Sequence, residues 1–114
     1  MRLEVQKYLF DIQEACQLIT EFTAGKTFDD YKNNAMLRSA VERQFEIIGE
    51  ALNQMLKLEP SLTSVITDSR RIVDFRNLLI HGYAKVSNEV VWGIVESNLP
   101  IIAQQVNQLL ANSE

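Results

Sequence analysis

The stretch LRSAVERQFEIIGEALNQM, residues 37–55, decides the fold class of this chain. Its apolar side chains recur at intervals of three and four, which places them on one face of an α-helix. We predict a helix from about Phe28 or Tyr31 to Lys57. Its main buried face consists of Leu37, Ala40, Val41, Gln44, Ile48, Ala51, Leu52 and Met55.

Three further helical patterns flank this stretch, and no segment alternates as a strand would. The first runs from about Leu3 to Thr23, the third from about Asp68 to Ile80, and the last follows Ser87. The segment EPSLTS, residues 59–64, is predicted to be a turn because Pro60 disfavours helix at the residue before it. The chain is therefore predicted to be all-α, a single domain over residues 1–114.

Residues that commonly cap or terminate helices mark the ends of these helices. Gly25 can end the first helix, and Thr27 can cap the second. Gly82 is a natural stop for the third helix, and Ser87 is a suitable cap for the last. Pro100 falls inside the last pattern, where it should kink the helix or start a new turn.

Composition excludes several classes of protein. With 46% apolar and 23% charged residues the chain is ordinary for a globular protein. Its net charge of −4 argues against a general nucleic-acid coat protein, which would be basic. The segment from Asp68 to Lys85 nevertheless carries four cations against two carboxylates, a net charge of +2. The rest of the chain carries −6. One local basic site is therefore compatible with the acidic whole.

Cysteine and histidine usage points away from metal and disulfide chemistry. Cys16 is the single cysteine and His81 the single histidine, so we expect no internal disulfide, no metal site within one chain and no cofactor. Cys16 lies in the apolar stripe of the first helix and is predicted to be a core residue. The N-terminus has no signal-peptide core, and no apolar run approaches the ~20 residues of a membrane span. We expect a cytoplasmic protein without a membrane partner.

The second and last helices are apolar on more than one side. In the second helix the apolar surface is widened by Met36, Phe45, Ile47 and Leu56. Apolar surface beyond what one core needs usually marks an interface, which predicts a homodimer. A wide core within one chain is the alternative.

The segment RNLLIHGYAK, residues 76–85, gathers the chemically reactive side chains. Arg76 offers a planar fork of donors suited to phosphate, and His81 can titrate near neutral pH. Asn77 lies one helical turn before His81 and could orient its ring. Such a set suggests phosphodiester cleavage in RNA without a metal, in which the imidazole moves a proton and the arginine stabilises phosphoryl charge. An acid and a base acting together need two groups, and two copies of His81 in a dimer would supply them.

Structural interpretations compete with each of these roles. His81 could cap the last helix carbonyls, and Arg76 could pair with an acid such as Glu50. Arg70 and Arg71 could follow an RNA backbone or be solvated surface arginines. Other residues open to two interpretations are Glu46 and Glu50 (Arg76 orientation or solvent) and Trp92 and Phe75 (base stacking or core). Gly49 is predicted to allow close helix approach.

Three motifs together resemble a known family. RNLLIHGY, residues 76–83, matches the Arg-x4-His-x-Tyr motif of the HEPN superfamily, and specifically of its HepT-like toxins. EIIGEAL, residues 46–52, resembles the second helix of that family, and VVWGIVESNLP, residues 90–100, resembles the start of its final helix. The motifs occur in the family's order and spacing, and the helical plan covers essentially the whole chain.

The resemblance implies a HEPN-type antiparallel bundle of four main helices, with allowance for a short extra helix and a kinked last helix. It further implies a dimer whose two motifs share a cleft, and a metal-independent endoribonuclease toxin. Arg76 and His81 would be catalytic and Asn77 supporting. The family's usual partner is a minimal nucleotidyltransferase antitoxin, MntA, which is thought to transfer AMP to the motif tyrosine, here Tyr83.

A different class of function also fits the chain. It could be a noncatalytic helical module that binds and regulates a nucleotidyltransferase partner, with the motif serving as a substrate for AMP transfer. For Tyr83 the structural alternative is a packing residue after the helix. Comparing RNA cleavage by the wild type and by His81→Ala would separate the two functions.

Overall fold

The computed structural model describes residues 1–82 and 86–113. Every regular element in these ranges is helical, and no strand occurs in them. The five α-helices are α1, Leu3–Thr23; α2, Phe28–Lys32; α3, Ala35–Leu58; α4, Ser69–His81; and α5, Asn88–Ala111. The prediction of an all-α HEPN-type fold is confirmed, and α2 is the short extra helix.

The predicted start of the second main helix is wrong, because α2 and α3 are separate helices. Thr27 and Asp30 form a reciprocal capping box that begins α2. The side chain of Asn34 then accepts a hydrogen bond of 3.0 Å from the backbone N–H of Leu37 and begins α3. Asparagine favours this N-cap position because its side chain replaces a missing helical partner. The predicted cap at Thr27 is correct, but it serves the short helix.

The other helix ends follow the sequence closely. Gly25 and Gly82 adopt positive φ angles of 71° and 62° just after α1 and α4, the backbone conformation that glycine adopts without a steric cost. Ser87 accepts a hydrogen bond of 3.1 Å from the backbone N–H of Val90 and begins α5. Residues Pro60–Ser64 form a short 3₁₀ helix where a turn was predicted. Helix α5 is continuous across Pro100.

Helix α3 lies at the centre of the bundle. α1 and α4 pack on it, and α5 packs on α1. Links near the chain ends, Arg2 to Glu59 at 3.6 Å and Gln6 to the Ser113 carbonyl at 3.2 Å, set α1 antiparallel to both α3 and α5. The short helix α2 lies against α3 and α5.

One hydrophobic core runs through all of these contacts. Six of the eight residues predicted for the main face of α3 are buried, and Ala40 and Gln44 are half-buried. Phe75 and Trp92 also lie in the core. The ring of Phe75 meets that of Phe45 edge to face at 5.3 Å between centroids. The core interpretation of both aromatic residues is confirmed.

Exposed apolar side chains occur on α1, with Leu3 and Phe10, and on α3, α4 and α5. On α3, Phe45 is buried and Ile47 and Leu56 pack partly against the core, so of the four widening residues only Met36 is exposed. The exposed apolar side chains of α4 and α5 are Leu78, Ile80, Val90 and Ile101. The wide apolar surface of α3 therefore serves mainly the core of its own chain. Within the described ranges, no helix is both long and apolar enough to span a bilayer.

Candidate active site

Arg76 lies where α4 crosses α3 most closely. A Cβ atom built on Gly49 would come within 2.2 Å of the Cβ of Arg76 and 3.3 Å of the Ile72 carbonyl oxygen. Real Cβ atoms do not approach other atoms to 2.2 Å, so this crossing depends on the absence of a side chain at position 49. The prediction that Gly49 permits close helix approach is confirmed. The close approach brings the backbone of α4 against the buried Gly49 face of α3.

The guanidinium of Arg76 is held by two side chains. Its Nη2 donates to the Glu50 carboxylate, and its Nη1 donates to the Asn77 amide oxygen at 2.9 Å. Its Nε is buried and has no partner among the described residues. The side chain is 21% exposed, against 47% for Glu50. A planar cation fixed at two corners keeps a defined orientation, which suits it to a planar or tetrahedral anion.

The expected pairing of Arg76 with an acid is therefore present, and its partner is Glu50. Glu46, the other acid considered, pairs with Arg43 at 3.3 Å instead. Asn77 was predicted to orient the ring of His81. It does lie one turn before His81 on α4, but its amide oxygen accepts from Arg76.

An open cleft of about 330 Å³ surrounds this arginine. It is bounded by the first half of α1, the middle of α3 and the end of α4. Its other two cations are already paired: Arg43 with Glu46, and Lys7 with Asp11 at 2.9 Å. The hydrogen bond to Asp11 raises the pKa of Lys7. An anion entering the cleft would therefore meet balanced pairs and not a bare positive surface.

His81 is the last residue of α4 and is exposed. Because the helix is regular through His81, five helical steps put Arg76 and His81 about 140° apart around the axis. Arg76 faces α3, and His81 faces outward on the same ridge as Asn77 and Arg70, four and eleven positions before it. The two predicted catalytic side chains of one chain thus point in different directions.

The two arginines at the start of α4 lie in different surroundings. Arg70 lines an open pocket together with Lys57 and Asn53 of α3. Arg71 lies on the side of the helix that faces α5 and lines an apolar groove with Leu78 and Ile94. The sequence did not distinguish Arg70 from Arg71, and it did not predict that Lys57 lies near Arg70. Thirteen residues and a turn separate Lys57 from Arg70, so no local pattern links them.

Tyr83, the predicted site of modification, lies outside the described residues. Cys16 is 2% exposed, and burial raises the pKa of its thiol to about 12. Its predicted role in the core is confirmed. Among residues 1–82 and 86–113, no three His, Cys, Asp or Glu side chains are arranged to hold a metal ion.

Comparisons with known proteins agree with the family that the sequence motifs resemble. Residues 12–109 match the family described as Ribonuclease HepT-like. "Putative RNase MJ1380" of Methanocaldococcus jannaschii is 34% identical over 107 residues, which are 90% of this chain and 94% of that protein. "Probable ribonuclease HepT" of Thermococcus cleftensis is 34% identical over 113 residues, 96% of this chain and 98% of that protein. No solved structure gives a significant match. This chain belongs to the HepT-like ribonuclease family of the HEPN superfamily.

Proposed function

We propose that this chain is the toxin of a toxin–antitoxin pair and acts in the cytoplasm as a metal-independent endoribonuclease, with residues 1–114 as its single catalytic domain. The observation that carries the proposal is the position and hydrogen bonding of the Arg76 guanidinium. Its guanidinium is fixed by Glu50 and Asn77 at the wall of an open cleft, in a chain of a ribonuclease family. A fixed guanidinium is suited to bind the phosphate of an RNA strand.

In the proposed reaction the 2′-oxygen of RNA attacks the adjacent phosphorus. The O2′–P bond forms, the P–O5′ bond breaks, and the products end in a 2′,3′-cyclic phosphate and a 5′-hydroxyl. His81 accepts the 2′-hydroxyl proton, and a second imidazole donates a proton to the departing 5′-oxygen. Arg76 donates hydrogen bonds to the non-bridging oxygens, where negative charge grows in the transition state. Asn77 supports the reaction by holding Arg76.

The second imidazole is proposed to be the partner's His81 in a homodimer. The chain contains one histidine, and Arg76 and His81 of one chain point about 140° apart because α4 does not end between them. A symmetric dimer would bring two copies of each group to one cleft. Exposed Leu78, Val90 and Ile101 supply apolar surface for such an interface.

The proposed antitoxin is an MntA-like minimal nucleotidyltransferase. It would transfer AMP from ATP to the hydroxyl of Tyr83, two residues after His81. The bond from the tyrosyl oxygen to the α-phosphorus forms, the bond from that phosphorus to pyrophosphate breaks, and pyrophosphate and the phenol proton leave. The adduct would add a phosphate charge and the bulk of a nucleoside two residues after His81. A phosphate there could occupy Arg76 and exclude RNA, as phosphorylation acts through local charge.

A second candidate function is a noncatalytic module that binds a nucleotidyltransferase. The observation that favours it is the engagement of Arg76 by Glu50, since an ion pair can be purely structural. Under this function the motif would serve only as a docking surface and a substrate for AMP transfer.

One experiment separates the two functions. A defined RNA is incubated in EDTA with AMP-free wild type and with His81→Ala, after circular dichroism has shown that both are folded. Cleavage by the wild type alone, leaving a 2′,3′-cyclic phosphate, is the expected result. Equal cleavage by both proteins would remove His81 from the mechanism. Cleavage by neither would favour the noncatalytic module.

A further inference from the structure

A second open pocket lies at the junction of α3, the 3₁₀ helix and α4. Its volume is about 330 Å³. It lies nearer the end of α3 and the start of α4 than Glu50 and Arg76 do. Its lining residues are Asn53, Leu56, Lys57, Pro60, Thr63, Arg70, Val73 and Asp74.

The pocket is lined by both apolar and cationic side chains. Leu56 and Val73 are half-buried where α3 and α4 meet and supply an apolar wall. Lys57 and Arg70 are exposed on the two helices that flank that wall. Asn53 adds an amide with both donors and acceptors. A flat apolar group beside an anion, as in a nucleotide, matches this arrangement.

The two cations of this pocket differ from those around Arg76. Lys7, Arg43 and Arg76 each form an ion pair with a carboxylate. In the part of the chain that the structure describes, neither Lys57 nor Arg70 forms an ion pair within 4.0 Å. A phosphate could therefore bind both without displacing a carboxylate, although Asp74 at the rim partly offsets their charge.

The position of the pocket relates it to the candidate active site. Arg70 precedes Arg76 by six residues on α4, or ~9 Å along the helix axis at 1.5 Å per residue. At ~3.4 Å per nucleotide of a stacked strand, this distance corresponds to roughly two to three nucleotides. Arg70 also shares the outward ridge of α4 with Asn77 and His81. Around the axis Arg70 and Arg76 are about 120° apart, so a strand with one phosphate at Arg76 must cross the groove between α3 and α4 to reach this pocket.

We infer that this pocket is a subsite for one nucleotide of single-stranded RNA, a few nucleotides from the phosphate held by Arg76. Lys57 and Arg70 bind the phosphate of that nucleotide, and its base packs against Leu56 and Val73. The inference rests on the proposed function for its choice of RNA as the ligand. Arg71, which faces α5, has no part in the subsite.

The test measures binding of a short 2′-O-methyl RNA, which cannot be cleaved by attack of its own 2′-oxygen. Fluorescence anisotropy compares the wild type with the double variant Lys57→Gln and Arg70→Gln. The matched control carries Lys26→Gln and Lys32→Gln, which remove the same charge from the exposed loop before α2 and from the exposed end of α2. Thermal melting checks that all three proteins are folded.

The pocket variant is expected to bind about tenfold more weakly, whereas the control stays within about twofold of the wild type. The slope of log Kd against log salt should fall by about 0.7 in the pocket variant, since one single-strand phosphate contact contributes ~0.7. Asp74→Asn should bind more tightly than the wild type. Equal weakening of pocket variant and control would mean general charge attraction and would overturn the subsite.

Further outcomes keep this inference distinct from the proposed function. Binding without cleavage by the wild type, with the expected loss in the pocket variant, would leave the subsite standing and refute the ribonuclease. Cleavage by the wild type with unchanged binding and KM in the pocket variant would refute the subsite alone. Loss of AMP binding in the pocket variant with unchanged RNA binding would assign the pocket to a free nucleotide and overturn the RNA subsite.

Discussion

Gly49 and Arg76 meet so closely that a Cβ atom on the glycine would lie 2.2 Å from the Cβ of the arginine. The same contact brings the next residue of α3, Glu50, to the guanidinium of Arg76. One small residue thus sets both the separation of the two helices and the position of the candidate catalytic cation.

Gly49→Ala should separate α3 from α4. Overpacking of this kind typically costs about 1–3 kcal/mol, and the better helix propensity of alanine offsets at most ~1 kcal/mol. We expect a net loss of stability in urea unfolding and weaker RNA cleavage. Gly93→Ala is the control, because nothing lies within 4 Å of a Cβ at that helical position and the change should be neutral or stabilising. If the two variants were equally stable, the closeness of the crossing would be unimportant.

Glu50→Ala should lower kcat for RNA cleavage by about tenfold, because Arg76 would lose the acceptor that holds its Nη2. Stability should change by no more than about 1 kcal/mol, since Glu50 is 47% exposed. Glu50→Gln keeps an acceptor oxygen and should retain more activity than Glu50→Ala. Steady-state cleavage assays and thermal melts provide the measurements.

Glu46→Ala is the matched control, because Glu46 lies one turn before Glu50 and pairs with Arg43. Its kcat should stay within about twofold of the wild type. Equal loss of activity in both variants would mean that the negative charge of the cleft supports cleavage, and not the orientation of Arg76.

Most of the fold could be predicted from the sequence because its helix ends carry local signals. Gly25, Thr27, Gly82 and Ser87 act on their immediate neighbours, so each could be assigned without knowledge of the tertiary structure. The break before α3 was missed because the apolar spacing continues through Asn34. Asn34 can cap a new helix or stand inside a longer one, and the neighbouring residues are compatible with both.

The candidate site was less accessible from the sequence because its geometry depends on contacts between helices. The pairing of Arg76 with Glu50 spans 26 residues, and it stood as one of two structural options for that arginine. Its other partner, Asn77, is adjacent in sequence, but the hydrogen bond between them was not predicted. Periodicity predicted which residues share a face, but not which acceptor a long side chain reaches.

Cys16 should make stability fall at alkaline pH. Its folded-state pKa is about 12 against an ordinary value of 9.0, because burial disfavours the thiolate. Above pH 9 the unfolded thiol ionises while the folded thiol does not, so this group favours unfolding increasingly until about pH 12. Between pH 9 and 10.5 it should remove about 1–2 kcal/mol from the free energy of unfolding.

Urea melts of the wild type and Cys16→Ala at both pH values measure this contribution. The variant should lose less stability over the interval, although it starts lower because alanine leaves a cavity. Burial also raises the pKa of Tyr31, which acts in the same direction at higher pH in both proteins. An equal loss of stability in the two proteins between the two pH values would show that the Cys16 thiol does not cause the loss of stability at alkaline pH.

Tyr83→Phe should abolish adenylylation without preventing RNA cleavage. Coexpression with an active nucleotidyltransferase partner should add the mass of one AMP to the wild type and none to the variant, because phenylalanine has no nucleophilic oxygen. Tyr8→Phe is the control and should carry the adduct. Intact-protein mass spectrometry gives the result, and AMP on Tyr83→Phe would place the modification elsewhere.

Mixtures of wild type and His81→Ala should lose activity faster than the wild-type fraction falls. If one imidazole accepts a proton and the partner's His81 donates one, only dimers with two wild-type chains are active. After subunit exchange, an equal mixture should have roughly a quarter of the activity of the same total amount of wild type, by random pairing. A site complete within one chain would give roughly half.

The same mixture prepared with Lys26→Gln in place of His81→Ala controls for nonspecific effects and should lose no activity, because Lys26 is exposed in the loop between α1 and α2. Dilution provides an independent reading, since activity per chain should fall together with dimer dissociation measured by mass photometry. Linear loss in the mixtures together with a fully active monomer would refute the shared cleft. In that event, the separation of Arg76 and His81 on α4 would have to be closed by a rearrangement of the end of that helix.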